Sequence, residues 1–337
     1  MNEEVKMQAS NITEEGEVLF LDEERMSRKA NGYERYKTHS NGIGFFNLFK
    51  EILCAKPQNY KFIVTLFRAL VKASAWMKKD GFKSNLYKKM MMLAPDKERN
   101  TSSLVLPLNV DLTEQSQKVV VPMDIIKLAL KQASFIGAMD KCLCREAGEC
   151  AEFPHDLGCL FLGEGGRTAV KHGIAREFTY EEACARVDRA AELGLCGEAM
   201  WVEVEQLIWG FKNDQIENYI SICFCCPCCC VGMHISRNGS AEIKNRFHSC
   251  GWTAVADRTK CIGCGKCIAG KNPCPQDAIK IGKDGKVEIN QEVCVGCGIC
   301  KTKCDQGVIK IKQTMPVKKD LHEYFLDDFN VDLNYFD

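Results

Sequence analysis

Residues 1 to about 42 show little apolar periodicity and carry runs such as Glu14-Glu15-Gly16-Glu17 and Asp22-Glu23-Glu24-Arg25, a pattern that predicts a charged flexible arm. From 43 to 94 apolar positions recur at helical spacing. The longest candidate helix runs from Tyr60 to Lys79 and places Ile63, Phe67, Leu70 and Val71 on one face. Lys61, Arg68 and Lys72 interrupt every window long enough to span a bilayer, so no transmembrane helix is expected. Pro95 to Asn109, rich in Ser, Pro and Asn, reads as a linker. Pro122 then opens a helix expected to run through Asp140, with Ile125, Ile126, Leu128, Ala129 and Phe135 as its apolar side. Thr179-Tyr180-Glu181-Glu182 has the spacing of a capping box and predicts a helix to about Leu193, ahead of Gly194. Strand patterns follow at Trp201 to Val204 and Tyr219 to Phe224. The expected fold class is α+β. A cysteine-rich mixed domain occupies 110–250, a small C-terminal module 251–315 and an acidic tail 316–337.

Charge changes this picture little as a whole and more in its distribution. Lysine plus arginine balance aspartate plus glutamate at 45 each, so neither a nucleic-acid nor a membrane partner follows from net charge. The 43–94 segment, however, has ten basic residues against only Glu51 and Asp80, interleaved with nine aromatics. It reads either as an amphipathic helical segment with a solvated basic face or as a docking surface for a membrane interface or an acidic redox partner.

The 22 cysteines are the compositional anomaly. Met1-Asn2-Glu3-Glu4 opens on charge with no apolar stretch behind it, so a secreted disulfide framework is not expected. In a reducing cytoplasm, thiols in such numbers at two-residue spacings point to metal ligands, and the host is expected to be an anaerobe.

Eight of them repeat. Cys261-x2-Cys264-x2-Cys267, then Cys274-Pro275, recurs 33 residues later as Cys294-x2-Cys297-x2-Cys300-x3-Cys304, and Ile279 and Ile309 each lie five residues after the last cysteine of their half. A tight loop with two residues between ligands aims three thiolates at one centre, and Gly263, Gly265, Gly296 and Gly298 permit that turn. Three cysteines per loop, doubled, fit zinc poorly. Residues 259–312 resemble the two-cluster bacterial ferredoxins. The resemblance implies two 4Fe-4S clusters, one held by Cys261, Cys264, Cys267 and Cys304, the other by Cys294, Cys297, Cys300 and Cys274. Two departures stand out: six residues rather than three separate Cys267 from Cys274, and Asp305 replaces the usual proline after the last cysteine. More loosely, the segment from Ile125 through Gly166, with the cysteine-rich string and C-terminal module, resembles large ferredoxin-domain proteins of anaerobes.

Fourteen cysteines remain. Cys142-x-Cys144-x5-Cys150-x8-Cys159 and the string Cys223-Phe224-Cys225-Cys226-Pro227-Cys228-Cys229-Cys230 are the candidate ligands of an additional iron-sulfur cluster or, less favoured, zinc. The two strings could converge on one site, since together they exceed what one cubane needs. Cys54, Cys184 and Cys196 read as core thiols, and Cys250 as structural or a spare ligand. His155 is either a proton donor beside a redox centre or a hydrogen-bonding loop residue. Gly163-Glu164-Gly165-Gly166-Arg167 lacks dinucleotide-binding spacing, and there is no P-loop.

The sequence therefore predicts an intracellular, cytoplasmic iron-sulfur electron-transfer protein with redox protein partners, and peripheral membrane association through the basic segment as a further reading. The rival is a reductase whose active-site cluster lies at Cys223–Cys230 and is fed by the C-terminal module.

Overall fold

The computed structural model describes residues 52–91, 101–112, 120–212, 215–216, 218–270 and 273–336, all within one compact unit. The expected arm over 1–42 lies outside the described residues. The fold is α+β, built on a seven-stranded sheet. Its strands are β1 (Thr101–Pro107), β2 (Ile136–Met139), β3 (Leu160–Gly163), β4 (Ala175–Glu177), β5 (Cys196–Val202), β6 (Tyr219–Cys225) and β7 (Phe247–Ser249). They lie in the order β4-β2-β3-β6-β5-β1-β7. Every neighbouring pair is antiparallel except β1 with β7. β2, β3 and β5 are buried at every position, which explains why they read as short apolar runs rather than as alternating strands.

Two expectations are overturned. The presumed linker Pro95–Asn109 carries β1, held between β5 and β7. Its serines are core residues: Ser102 and Ser103 are fully buried, and the Ser103 hydroxyl donates to Glu198 Oε1 at 2.5 Å. The helix from Pro122 stops at Gln132, because Ala133 turns extended and residues 136–139 become β2. Two flanking strands satisfy the β2 backbone, which one more helical turn could not. The helix expected from Thr179 forms as Tyr180–Glu192, with both reciprocal capping-box bonds, at 3.2 and 2.9 Å.

The two faces of the sheet differ. Helices Pro122–Gln132 and Tyr180–Glu192 pack on one, where Gly197 leaves room for Ile126: a Cβ there would lie 2.8 Å from its Cδ1. The other face carries Glu198, Cys223 and Cys225, and helices Tyr60–Ala73, Leu143–Gly148 and Val231–Asn238 cover it. The Tyr60–Ala73 helix buries Ile63, Phe67 and Leu70, turns its lysines outward, and continues as a 3-10 turn over Ser74–Lys78.

β8 (Trp252–Ala256) follows β7 with only Cys250 and Gly251 between them, so the C-terminal module leaves the sheet without a linker. There β8 pairs with β11 (Ile309–Gln313), and β9 (Ile279–Ile281) with β10 (Val287–Ile289). The chain then returns to the large domain. Helix Leu321–Phe329 buries Leu321, Tyr324 and Phe325, and Tyr324 donates its hydroxyl to the Cys250 carbonyl at 2.7 Å.

Candidate metal centres

In the C-terminal module the two halves repeat in backbone as well as in sequence. Gly263 and Gly296 both have positive φ, and a Cβ on either would collide with a backbone carbonyl, that of Gly285 at 2.4 Å or of Trp252 at 2.1 Å. Gly265 and Gly298 share the left-handed backbone but face open space. These turns bring the eight thiols into two groups. Burial raises the pKa of Cys267, and Cys304, Cys261 and Cys264 around it add to the rise. Burial likewise raises Cys297, with Cys274, Cys300 and Cys294 adding to it. Backbone N–H groups of Val287, Ala254 and Ala278 donate to the sulfurs of Cys261, Cys294 and Cys274, each at 3.4 Å. Such bonds help set cluster potentials. The first group lies at the surface, with Cys264 exposed, whereas Cys297 packs against the large domain. Asp305 forms an ion pair with Lys266.

The ten middle-domain cysteines form a divided arrangement. Cys150, Cys226, Cys228 and Cys229 converge, with all four sulfurs within 4.8 Å of one another. Cys150 follows the left-handed Glu149 that ends helix Leu143–Gly148, and its N–H donates to the Arg145 carbonyl at 3.0 Å. The other three lie on the turn after β6. Hydrogen bonds from Cys228 and Cys229 hold the Cys226 thiol far below its usual range, helped by the Arg145 guanidinium. Arg145 is completely buried and donates to the carbonyls of Pro154, Leu157 and Phe224.

The remaining six, Cys142, Cys144, Cys159, Cys223, Cys225 and Cys230, line a cavity of about 90 Å³ under Phe67 and Leu70 of the Tyr60–Ala73 helix, and Cys226 of the quartet borders the same cavity. Period-two geometry puts Cys223 and Cys225 on one face of β6, and Cys159, just before β3, reaches Cys223 at 3.0 Å. Cys225 and Cys230 lie 3.1 Å apart. Cys142 caps helix Leu143–Gly148, with its pKa lowered to about 7 by a hydrogen bond from Cys144.

One carboxylate, Glu205, also lines this cavity, and another, Glu198, lies beside Cys225 and Cys230 in its wall. Neither was anticipated. Glu198 is fully buried, accepts from Cys225 at 2.8 Å, and has its pKa raised by burial. Glu205 is pushed up to about 8 by the same cause. One sequence signal for Glu198 existed: it is the lone acid in the otherwise apolar strand CGEAMWV. His155 does not line the cavity. Its ring nitrogens meet two acceptors, Glu146 Oε1 at 2.5 Å and the Cys150 carbonyl at 2.9 Å, so it braces the Cys150 loop. Gly165 and Gly166 are packing devices, since a Cβ on them would strike the Tyr219 ring and the Phe161 carbonyl. Cys54, Cys196 and Cys250 are buried and Cys184 is partly so.

The two regions touch. Cys297 packs against the buried cluster of Cys225, Cys230 and Met233. Arg237 donates to the carbonyls of Pro227, on the thiol-bearing turn, and of Pro273, beside Cys274. Between the regions lies a cleft of about 640 Å³ with Cys225 and Cys226 on one wall and Cys297 to Ile299 on the other.

Thiols grouped by repeated glycine loops, with backbone N–H groups aimed at their sulfurs, define an iron-sulfur electron-transfer protein. Through this C-terminal part the chain belongs to the ferredoxins. It is 39% identical over 69 residues to an uncharacterized ferredoxin of Methanocaldococcus jannaschii, covering 20% of this chain and 86% of that protein. Identity to the pyruvate synthase subunit PorD of Methanothermobacter marburgensis is 39% over 86 residues, 25% of this chain and 94% of PorD. A component of the Na(+)-translocating ferredoxin:NAD(+) oxidoreductase complex of Acetobacterium woodii is 39% identical over 54 residues, 16% of this chain and 15% of its own length. No family profile matches the chain, and no solved structure matches it significantly.

Proposed function

We propose that the chain carries single electrons through two 4Fe-4S clusters and a further iron-sulfur centre. Cys261, Cys264, Cys267 and Cys304 hold the outer cluster, and Cys294, Cys297, Cys300 and Cys274 the inner one. The six cavity thiols supply ligands for the third centre. Bound clusters of this kind supply low-potential, one-electron chemistry. The observation that carries the reading is the packing of Cys297 on Cys225 and Cys230, which puts an inner-cluster ligand against the cavity wall. At the other end, exposed Cys264 and Ile262, 67% exposed, offer a partner an approach to the outer set.

The partner is a redox protein, as the relatives named as parts of redox complexes suggest. Phe62, Trp76 and Phe82 are exposed among Lys61, Lys78, Lys79 and Lys83, an apolar and cationic patch suited to an acidic, membrane-associated oxidoreductase in the cytoplasm of an anaerobe. No helix among the described residues is long and apolar enough to cross a membrane. The 640 Å³ cleft favours a second reading, a reductase whose small substrate enters between Cys226 and Cys297.

Anaerobic purification with iron and acid-labile sulfide counting tests the carrier reading. About twelve irons per chain are expected, falling to about eight in Cys159→Ser/Cys223→Ser with the outer and inner cluster signals retained. A wild-type count near eight that the double variant leaves unchanged rejects the third centre. A cluster spectrum that shifts on addition of a small reducible ligand favours the reductase.

A further inference from the structure

The ten cysteines of the middle domain do not share one kind of site. Four thiolates around a single tetrahedral ion with metal–sulfur bonds of ~2.3 Å lie at the corners of a tetrahedron with edges of ~3.8 Å. Thiolates that each take a different iron of a cubane are spread further apart. The chain contains its own control. Among the described residues, two groups converge within 4.8 Å, Cys150, Cys226, Cys228 and Cys229, with Cys150 and Cys228 at 3.5 Å, and the two-thiol set Glu198, Cys225 and Cys230; only the first offers four sulfurs, and no group of module thiols is as compact. The compactness of the quartet is that of a mononuclear site.

We propose that Cys150, Cys226, Cys228 and Cys229 bind one zinc ion in a closed structural site, separate from every iron-sulfur centre. The inference rests on the reading above only in removing these four from the thiols available to the third cluster. On binding, four zinc–sulfur bonds form to the thiolates, and the protons still carried by the quartet leave to solvent. The product carries two net negative charges. Arg145, buried beside Cys226 and anchored by three carbonyls, offsets one of them.

The surroundings are shaped for these ligands. A Cβ on Gly148 would lie 2.7 Å from Cys229 Sγ, so the end of helix Leu143–Gly148 runs against the quartet where only glycine fits. His155 donates to the Cys150 carbonyl and His234 to the Cys228 carbonyl, at 2.9 and 3.1 Å, which fixes both ligand-bearing loops. With four protein sulfurs on the ion no coordination position stays open, as in structural rather than catalytic zinc sites. The ion would clamp the Cys150 loop to the turn after β6, along the rim of the thiol cavity.

The test is metal and sulfide analysis of the full chain purified anaerobically. About one zinc per chain is expected in the wild type, and close to none in Cys228→Ser, with iron, sulfide and cluster absorption unchanged. Gly148→Ala keeps all four ligands and is expected to weaken zinc at least tenfold against a competing chelator. If both variants fail to fold, the wild type decides: a chelator should remove one zinc and expose four titratable thiols without bleaching the clusters. Loss of about four irons and four sulfides in Cys228→Ser would show a cubane and overturn the inference while leaving the electron-transfer reading intact. Loss of one iron without sulfide, or of no metal, overturns it equally.

Discussion

The C-terminal module and the middle domain solve the same problem, gathering thiols around a centre, by opposite means. In the module, three of the four thiols in each group come from one loop of seven residues, and the loop is shaped by its own glycines. In the middle domain Cys150 meets Cys228 across 78 residues of chain, and Cys159 meets Cys223 across 64. The first arrangement is local. The second exists only once β3, β6 and β5 have paired, because the register that sets Glu198 opposite Cys223 and Cys196 opposite Cys225 decides which thiols share a face. The module's sites therefore depend on turn geometry, and the middle domain's on the sheet.

The sharpest way to break the comparison on the module side is Gly296→Ala. Its left-handed backbone costs a non-glycine residue about 1–2 kcal/mol. A Cβ 2.1 Å from the Trp252 carbonyl adds an overpacking cost of about 1–3 kcal/mol, with backbone on both sides and no flexible atom to yield. The expected outcome is loss of the inner cluster, about four irons per chain, with zinc content unchanged. If iron is retained, local turn geometry is not what holds that site together.

On the middle-domain side the sheet face can be probed through pH. Glu205 has a folded pKa near 8, against an ordinary value of 4.5, because burial disfavours its charged form. An acid raised on folding keeps its proton in the folded state while the unfolded chain releases it. Stability should therefore fall as pH rises from about 4.5 to 8 and level off above, by up to about 1.4 kcal/mol per pH unit from this group alone. Glu205→Gln should flatten that slope in denaturant titrations monitored by circular dichroism. An equal slope in both proteins would place the titration elsewhere.

The same contrast explains what could be read in the sequence. The gathering of the module thiols was legible because its geometry closes within short glycine-shaped loops, and Thr179 with Glu182 was legible because a capping box lies within one helical turn. The Tyr60 helix declared its buried face through Ile63, Phe67 and Leu70. β1 was missed because Ser102 and Ser103 look like linker residues until β5 and β7 bury them and Glu198 takes the Ser103 hydroxyl. β2 was absorbed into a helix because a run of four buried residues has no period to distinguish the two. The ten cysteines were recognised as ligand candidates, but their division into four and six was not. Spacing along the chain carries no record of which side of β6 each sulfur occupies, or that Cys228 and Cys229 leave the cavity for Cys150 while Cys226 stays in its lining.

The smallest effect sharpens the argument about turns from the opposite direction. Gly265 has the same left-handed backbone as Gly296, φ +72 against +74, and occupies the outer loop as Gly298 does the inner. Nothing lies within 4 Å of where its Cβ would be. Gly265→Ala should thus incur only the conformational cost, about 1–2 kcal/mol, and keep its full iron content. Thermal unfolding and iron counting beside Gly296→Ala would separate the two contributions. If Gly265→Ala also lost its cluster, positive φ alone would govern these loops, and the carbonyl contacts at Gly263 and Gly296 would be incidental.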